Sequence, residues 1–448
     1  MASGKVGEAE PLPSVRALAR QFGASPVTVQ RVVSDLAREG LVDPIPGRGT
    51  FVSRRPAATR PDTGWQLPKL PPLPPLGAAF GEFVRPPSDA RFDMASGYLD
   101  ERLLPTRELS TALTRAARRP GAWRTAEPAG LRELREWFAR EAGVAHREHR
   151  AVVTPGSQAA LAALFRTVAK PGDPVIVEAP TYLGALVAIH AAELRPVAVP
   201  TDAQGMLVEH LPEALDRSAA SVVYVQPTFA NPHGASLAAR RRPQLLEAAR
   251  NAGAMIVEDD YARDLGIDGA APPPLVRDDD DGRVIYVRSL SKAAAPSLRV
   301  AVVLASGPVG DRLHTAFAAE QLFVSRVLQE AALEFVVSAA RARHLRRLAG
   351  ALRERRDAAV TALRRHWPQA ELGHVPRGGL HLWLRLPAGV DDVELARHVG
   401  ERGVAVNAGS HWFPAEATGA HLRLSYAAAA PHELDAGIAA LAETSARS

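Results

Sequence analysis

The sequence predicts an α/β protein with a winged helix-turn-helix at its N-terminus and a smaller α+β domain at its C-terminus. Three observations lead to this prediction. Two short helical stretches and a basic hairpin fill residues 12–54. From about residue 92, short apolar strands alternate with helical stretches, which is typical of a doubly wound sheet. Later in the 448-residue chain, further strand patterns indicate a separate small sheet.

Composition narrows the class of protein. The chain has no run of about eighteen apolar residues, so no membrane span is predicted, and residues 1–10 lack the apolar core of a signal peptide. It has no cysteine, which excludes disulfides and thiolate metal sites and fits a reducing, cytoplasmic compartment. The acidic run Asp278–Asp281 is predicted to be a solvated turn, and no metal site is expected. The formal charge of +5 is too modest to indicate nucleic-acid binding by itself.

The N-terminal unit begins with a helix predicted over Val15–Phe22, with Ser14 as its N-cap. Ser25 caps a second helix whose first position is Pro26, where the missing N–H costs nothing. Gly40 ends this second helix. Each helix is predicted to bury one apolar face, formed by Val15, Leu18, Ala19 and Phe22 in the first helix and by Val29, Val32, Val33 and Leu36 in the second.

Residues 41–52 predict two short strands around a Gly-Arg-Gly tip. Helix, turn, helix and basic hairpin form the outline of a winged helix-turn-helix, so DNA is an expected partner. Contacts to phosphates would set affinity, and the second helix would read bases. Arg31 is equally consistent with a solvated surface position. The residues predicted to face DNA are Arg16, Ser25, Thr28 and Arg31 in the helices and Arg48 and Gly49 in the wing.

Residues 55–91 are rich in proline and poor in periodicity, which predicts a semi-rigid tether between domains. Within them, Leu70–Leu76 is predicted to be extended polyproline II. A ligand for a proline-recognition domain is the less favoured alternative, because such matches rest on composition only.

The remaining region, 92–448, is predicted to divide into a large domain at about 92–335 and a small domain at about 336–448. Strands of the small domain are predicted over Leu380–Leu386, Val404–Val406 and His421–Ser425. Strands of the large domain are predicted over Ala151–Thr154, Pro174–Val177, Ser221–Val225, Ala254–Glu258, Arg283–Val287 and Val300–Leu304.

One lysine stands out in the large domain. Of the 54 lysines and arginines, only four are lysine, and one of these is Lys292. Arginine stays protonated, whereas the pKa of a lysine can be lowered until its amine is a nucleophile. A Schiff base to a carbonyl cofactor needs such an amine, and pyridoxal phosphate is the obvious candidate. The hydroxyls of Ser289 and Ser291 and the guanidinium of Arg299 would suit its phosphate.

Four further motifs follow predicted strands. Gly156-Ser157-Gln158 opens a helix, whose backbone N–H groups favour a phosphate. Tyr182 could stack on a flat ring, and Asn231 could donate to a phenolic oxygen. A carboxylate such as Asp259 can hold a pyridinium proton, and Tyr261 could hydrogen-bond the phenolate. Each motif alone also fits a turn or a packed side chain, but the carboxyl ends of strands meet at one edge of a sheet, so together they predict one site.

The order of these motifs resembles the fold-type I aminotransferases of class I and II. With the winged helix, the chain resembles the MocR subfamily of GntR transcription regulators, and the resemblance covers nearly the whole chain, including Pro376–Leu386 and Leu422–Tyr426. The resemblance implies a fold-type I large domain, pyridoxal 5'-phosphate as cofactor and a homodimer, because the cofactor site of this fold lies between subunits.

The resemblance also implies roles for single residues. Lys292 would form the internal aldimine, Asp259 would pair with the pyridine nitrogen, and Tyr261 and Asn231 would bind the ring hydroxyl. Arg423 would clamp the carboxylate of an amino-acid ligand through two hydrogen bonds. The ring and phosphate would be held by Tyr182, Ser157, Gln158, Ser289 and Arg299.

Three features depart from the family pattern. Relatives have a helix before Leu12, for which residues 3–10 are short and contain a glycine. Pro26 stands where many relatives place a polar residue that touches a phosphate. Thr125 stands where relatives carry a tyrosine that reaches the cofactor phosphate of the neighbouring subunit.

Two functions follow from the sequence. The leading hypothesis is a pyridoxal-phosphate-dependent regulator that senses a small amine or amino acid through an external aldimine. The change in contacts between its large and small domains would bias DNA binding. The alternative is an active aminotransferase with a degenerate N-terminal domain, favoured by the missing first helix and opposed by the intact wing.

Overall fold

The computed structural model of the protein describes residues 10–53, 63–70, 75–84 and 90–445. The chain divides into two compact units near residue 72. Most of the predicted polyproline segment, 71–74, lies outside the described residues, as do residues 1–9, on which the missing first helix depends.

The N-terminal unit has the predicted helix-turn-helix and hairpin. Its elements are α1 (Val15–Phe22), α2 (Pro26–Arg38), β1 (Val42–Ile45) and β2 (Gly49–Val52), and a short 3-10 helix follows at Gly64–Lys69. The Ser14 side chain accepts a hydrogen bond from the N–H of Ala17, and that of Ser25 accepts one from the N–H of Thr28. The strands β1 and β2 are antiparallel, so the wing prediction is confirmed.

The two predicted apolar faces are only partly buried. Ala19, Val29 and Val33 form the small core between α1 and α2. Phe22 is 70% exposed and Val32 is 51% exposed, so their predicted burial was wrong. Two short helices bury only a narrow stripe between them, and Val15, Leu18 and Leu36 at its margins are half-buried.

The larger unit opens with α3 (Gly77–Phe83) and β3 (Phe92–Asp93). Its helices around the main sheet are α4 (Thr106–Ala117), α5 (Arg132–Glu141), α6 (Ser157–Val168), α7 (Leu183–Ala191), α8 (Leu211–Ser218), α9 (Arg241–Asn251), α10 (Gly307–Gln321) and α11 (Arg326–Val336). Its strands in that sheet are β4 (Arg150–Thr154), β5 (Pro174–Ala179), β6 (Arg195–Asp202), β7 (Gly205–Met206), β8 (Val222–Val225), β9 (Met255–Asp259), β10 (Val284–Ser289) and β11 (Ala301–Ala305).

The main sheet is doubly wound and mostly parallel. Its order is β4-β11-β10-β9-β8-β5-β6-β7, and only β11 and β7 run antiparallel to their neighbours. Apolar side chains fill both faces of the sheet, as expected for strands covered by helices on both sides. All six predicted strands are present. The carboxyl ends of the five that run parallel to one another therefore meet at one edge, where the antiparallel β11 begins.

The C-terminal region contains a second sheet. The elements of this region are α12 (Ala339–His366), β12 (Glu371–Leu372), β13 (His381–Arg385), α13 (Asp392–Glu401), β14 (Val404–Ala405), β15 (Asn407–Ala408), β16 (His421–Ser425) and α14 (Pro431–Ser445). The second sheet follows the long helix α12 and has four strands in the order β12-β13-β16-β15. The predicted strand at 404–406 is shorter than expected, and it pairs with β3 instead of joining this sheet.

The register of the second sheet sorts its side chains onto two faces. Trp383 pairs with Arg423, and His381 pairs with Ser425, so these four side chains share one face. The alternate residues of β13 and β16 are buried leucines that join the apolar core with α12 and α14. The second sheet therefore presents a polar face that includes Arg423 and an apolar face that packs on helices.

The acidic run at 278–281 departs from its prediction at one residue. Asp278, Asp280 and Asp281 are exposed as predicted, although Asp280 and Asp281 also pair with arginines. Asp279 is buried, and its carboxylate accepts hydrogen bonds from the N–H groups of Asp281 and Val284. Within the described ranges, no group of three or more His, Cys, Asp or Glu could hold a metal ion. Among these same residues, no helix combines the length and apolar character needed to cross a membrane.

Candidate functional site

Lys292 lies just after β10, at the edge where the strands of the main sheet end. Its Nζ donates to the carbonyl of Gly97 at 2.7 Å and lies 3.8 Å from the centroid of the Tyr98 ring. Burial, together with the positive charge of Arg423 and against the opposing charge of Asp259, lowers the pKa of Lys292 to about 7. A substantial fraction of the amine is therefore neutral, and hence nucleophilic, near pH 7.

Asp259 ends the neighbouring strand β9 and is completely buried. Its Oδ2 accepts hydrogen bonds from the phenol of Tyr224 and from Nε2 of Gln226, both at 2.8 Å. Its Oδ1 has no hydrogen-bond partner among the described residues. Burial raises the pKa of Asp259 to about 6, although the two donors oppose this. Oδ1 of Asp259 is thus held in place and can accept a hydrogen bond from an N–H group of a ligand.

Gly156 and Arg299 meet where β4 leads into α6. The Nη2 of Arg299 donates to the carbonyl of Pro155 at 2.7 Å. Gly156 has a φ of +104°, and a Cβ built on it would lie 2.3 Å from Nη2 of Arg299. Ser157 begins α6, so its backbone N–H lies at the positive end of that helix. This close packing of a guanidinium against a helix N-terminus forms a site suited to an anion.

Three more side chains predicted to bind phosphate lie at the same edge. The Nε2 of Gln158 donates to the carbonyl of Gly184 at 2.8 Å, while its Oε1 is buried without a partner in the described structure. The Oγ of Ser289 accepts from the N–H of Ser291 at 3.1 Å, and the Oγ of Ser291 is likewise buried and unpartnered among the described residues. Register places Ser289 beside Ala301, which pairs in turn with Thr154, so these groups belong to adjacent strands.

The residues predicted to touch the cofactor ring are present at the site, and one of them has a competing contact. The hydroxyl of Tyr261 donates to the carbonyl of Phe229 at 2.7 Å, so its proton is already engaged. Asn231 accepts from Arg423 through Oδ1, which leaves its Nδ2 as a donor. Tyr182 stands at the N-cap position of α7, shortly after β5, and burial raises its pKa. Tyr182 is thus a neutral phenol beside the strand edge.

Arg423 is fully buried on the polar face of the second sheet. Its Nη2 donates to the carbonyl of Ala95 and to Oδ1 of Asn407, at 2.5 and 2.7 Å. Its Nη1 lies 3.3 Å from Oδ1 of Asn231 and 3.4 Å from Nε2 of His381. All four partners are neutral, and burial lowers the pKa of the guanidinium to about 9. A buried cation without a carboxylate on it is suited to bind one from a ligand.

Sequence reasoning missed several residues that complete this site. Tyr224 lies near the carboxyl end of a predicted strand and Gln226 follows it, and that position was the signal that could have identified them. His381 and Trp412 have no such signal, since tertiary packing alone brings them to Arg423. Phe83 lies in the predicted tether, yet the guanidinium carbon of Arg423 lies 4.9 Å from its ring centroid.

These groups fit pyridoxal phosphate. Oδ1 of Asp259 is a buried acceptor without a described partner, as a pyridinium N–H requires. The amine of Lys292 is available as a nucleophile, and the junction of Gly156 with Arg299 offers donors for a phosphate. The remaining donor on Asn231 suits a phenolate oxygen. Nothing in the described donor set conflicts with this cofactor.

The N-terminal unit exposes all six residues predicted to face DNA. Ser25 and Thr28 lie at the start of α2, where their hydroxyl oxygens are 2.8 Å apart. Arg31 lies on the exposed face of α2, and Arg48 and Gly49 lie at the wing. The Oγ of Ser25 also caps α2, so this side chain has a structural role whatever else it contacts.

Comparison with known proteins matches both units. The profile of the family described as aminotransferase class I and II matches residues 94–441, and that of the bacterial regulatory proteins of the gntR family matches residues 1–52. The uncharacterized HTH-type transcriptional regulator YjiR of Escherichia coli is 30% identical over 90% of this chain and 87% of its own length. The probable rhizopine catabolism regulatory protein MocR of Rhizobium meliloti is 27% identical over 88% of this chain and 80% of its own.

Solved aminotransferase structures are similar to this chain over most of its length. The α-aminoadipate aminotransferase LysN of Thermus thermophilus, complexed with N-(5'-phosphopyridoxyl)-L-leucine, has a TM-score of 0.76 and 28% identity, over 83% of this chain and 97% of LysN. Kynurenine aminotransferase of Pyrococcus horikoshii, solved with PMP, has a TM-score of 0.77 and the same identity, over 83% of this chain and 93% of that one.

The fold and the matched profiles thus define a DNA-binding regulator built on a fold-type I aminotransferase domain, with pyridoxal phosphate as its cofactor. The chain belongs to the aminotransferase class I and II family and, through its GntR domain, to the MocR-type transcription regulators.

Proposed function

We propose that this protein is a pyridoxal-phosphate-dependent transcription regulator whose DNA binding responds to a small amine or amino acid. One observation carries the proposal. The buried-edge amine of Lys292, with a pKa near 7, lies among side chains that fit pyridoxal phosphate, on a chain that also carries an exposed winged helix. Bound pyridoxal phosphate would supply an aldehyde that captures amines and a ring that withdraws electrons.

Each side chain has a specific task in this proposal. Lys292 would hold the cofactor and release it to the ligand amine. Asp259 would keep a proton on the ring nitrogen through its free Oδ1. Asn231 and Tyr261 would contact the ring oxygen, and Tyr261 would first have to turn away from the carbonyl of Phe229. The ring face and phosphate are bound by Tyr182, Gly156, Ser157, Gln158, Ser289, Ser291 and Arg299.

Arg423 gives the site its preference for a carboxylate. Its weakest contacts are those of Nη1, at 3.3 and 3.4 Å, and a carboxylate oxygen would replace them with a shorter, charge-assisted bond. The ligand would then join Arg423 on the second sheet to Lys292 on the main sheet. Such bridging favours one arrangement of the two sheets, which is the differential interaction that a ligand needs to shift an equilibrium.

On the DNA side, we propose that α2 reads bases through Thr28 and Arg31, with Ser25 and Arg16 on the backbone. The wing residues Arg48 and Gly49 would contact phosphates. Access to DNA would place the protein in the cytoplasm.

We also propose a homodimer. Trp123 is 81% exposed, held by a hydrogen bond from its Nε1 to the carbonyl of Ala117. It lies two residues from Thr125, the position at which relatives reach the neighbouring cofactor. A large exposed indole held in place is typical of an interface core.

A DNA-retardation titration tests the proposal. Full-length protein, with and without pyridoxal phosphate, is titrated on duplexes selected from a random pool, in the presence of a panel of amino acids and amines. At least one compound should change DNA affinity in loaded wild-type protein and have no effect on Lys292→Ala. If no compound changes DNA affinity under any loading condition, the sensing function is wrong. Steady turnover with a keto acid, at more than about 1 s⁻¹, would instead support the aminotransferase alternative.

A further inference from the structure

Helix α3 brings a residue of the predicted tether into the ligand site. The ring centroid of Phe83 lies 5.7 Å from that of Trp412, edge to face at 88°, and 6.5 Å from that of Tyr182. Helix α3 contacts α7, and Phe80 supports Phe83 from the preceding turn at 5.9 Å. Phe83 is therefore packed in place by the larger unit, although it lies only a few residues after that unit begins.

Phe83 borders both of the charged groups that a ligand must reach. Its ring centroid is 4.9 Å from the guanidinium carbon of Arg423, and Trp412 contacts the same guanidinium at 5.0 Å. A Cβ built on Gly97 would meet Cζ of Phe83 at 3.6 Å and Nζ of Lys292 at 3.7 Å. A ligand with its carboxylate on Arg423 and its amine near Lys292 would therefore lie against this ring.

We propose that Phe83 and Trp412 form an aromatic wall for the ligand side chain, so that the site takes carboxylates with an apolar or aromatic side chain. The proposal rests on the proposed function, in which Arg423 binds the carboxylate. The guanidinium carbon lies over both rings, and the long contacts of Nη1 leave that nitrogen for the carboxylate. Because α3 carries Phe83, ligand binding also fixes the end of the tether. Because Phe83 belongs to the predicted tether and also contacts the ligand, ligand binding and the position of the tether are thermodynamically coupled.

Calorimetry with two unreactive probes tests the wall. Propionate reaches only the guanidinium, whereas 3-phenylpropionate also reaches the wall, and neither has an amine that could react with the cofactor. Loaded wild-type protein should bind 3-phenylpropionate about tenfold more tightly than propionate, from burial of the phenyl ring. Phe83→Ala should lose most of this preference and keep its affinity for propionate, and Phe83→Leu should retain part of it.

The exposed neighbour Val84 supplies the matched control, since Val84→Ala alters the same helix end without touching the site. An unchanged or tighter binding of 3-phenylpropionate by Phe83→Ala would overturn the wall. If wild-type protein binds neither probe, the carboxylate site at Arg423 fails, and the wall fails with it. If wild-type binds both probes equally, only the wall fails.

The scarcity of lysine allows a separate test of the link to the tether. Lysyl endopeptidase cleaves only after lysine, and Lys69 lies exposed in the 3-10 helix before α3, while Lys170 is an exposed internal reference. Saturating 3-phenylpropionate should slow cleavage at Lys69 severalfold in wild-type protein but not in Phe83→Ala, because docked α3 restrains the chain that the protease must extend. Cleavage at Lys170 should not change. Equal rates at Lys69 with and without the probe, in wild-type protein that binds it, would overturn the link.

Discussion

The phenol of Tyr224 donates to Oδ2 of Asp259 at 2.8 Å, and Gln226 donates to the same oxygen. The two donors thereby fix which oxygen of the carboxylate stays free for the cofactor. They also oppose the burial that raises the pKa of Asp259 to about 6. The ionisation of Asp259 at neutral pH thus depends on Tyr224, which lies on the neighbouring strand β8.

Tyr224→Phe should weaken pyridoxal phosphate binding in a pH-dependent way. Loss of the hydrogen bond raises the pKa of Asp259 above about 6, so less of the carboxylate is ionised at pH 7. Affinity, measured by equilibrium dialysis, should fall about twofold at pH 7, more at pH 6, and recover by pH 8.5. Tyr286→Phe is the matched control, since its phenol donates to the neighbouring Asp260 at 2.8 Å. Equal losses in both variants would point to a general packing effect.

Lys292→Met should stabilise the cofactor-free protein, and most strongly at low pH. The fold lowers the pKa of Lys292 from 10.5 to about 7, so below pH 7 both states are protonated and the fold bears the full cost of a buried charge. Between about pH 7 and 10.5 only the unfolded state is protonated, and the cost declines as pH rises. In urea unfolding, the free energy of unfolding should rise by about 2 kcal/mol at pH 6 and by less at pH 9. The rise at pH 6 is smaller than the full pKa shift would give, because the site is partly open.

The exposed Lys170 gives the control for that measurement, because Lys170→Met should change stability by less than about 0.5 kcal/mol at either pH. A gain from Lys292→Met that is the same at pH 6 and pH 9 would contradict the lowered pKa.

Arg423→Met should raise the pKa of Lys292 and remove carboxylate binding. The charge of Arg423 is the main influence after burial in lowering that pKa, so its loss moves the titration upward. The pH midpoint for borohydride-trapped attachment of pyridoxal phosphate, mapped to residue 292, should rise relative to wild type. Propionate affinity should fall by roughly 100-fold. Arg385→Met, an exposed arginine of the same sheet, should change neither quantity.

Arg48→Ala should weaken DNA binding uniformly across sequences. A phosphate contact from the wing releases counterions, so its loss should reduce the slope of log K against log salt by about one. Fluorescence anisotropy at several salt concentrations measures the slope. Arg20→Ala, in the last turn of α1, is the comparison, because Arg20 is exposed but is not among the residues predicted to face DNA. If both variants have the same salt slope as wild type, the prediction that Arg48 contacts a phosphate is wrong.

Trp123→Glu should dissociate the proposed dimer. A carboxylate at the centre of an apolar contact costs several kcal/mol, about 3 or more. Sedimentation velocity should show dimers for wild type and monomers for the variant, with unchanged circular dichroism. Leu322→Glu is the comparison variant, because Leu322 is also apolar and is 68% exposed but lies outside the loop of Trp123. Wild-type protein that sediments as a monomer with cofactor bound would disprove the dimer.

The main sheet could be predicted from sequence because its strands are short valine- and isoleucine-rich runs ended by polar or glycine residues. The strand Arg195–Asp202 was missed, since it is only half-buried and contains Pro196 and Pro200. Its position at the edge region of the sheet tolerates both features.

The site was predicted as far as its residues follow strand ends. Lys292, Asp259 and Asn231 all do so. The partners of Asp259 required the register between β8 and β9, which one sequence does not specify. Helix α3 could not be predicted either, because it has seven residues, includes Gly77 and Gly81, and owes its stability to packing. Phe83 therefore looked like part of a tether.

Gly156 leaves open the space that the Arg299 guanidinium occupies. Any Cβ at position 156 would meet that guanidinium, and the positive φ would strain it as well, so a larger residue there displaces the end of the Arg299 side chain. The contact proposed for the cofactor phosphate would then be lost. A descendant of this chain with another residue at position 156 would therefore mark a lineage whose regulator no longer depends on a vitamin B6 coenzyme.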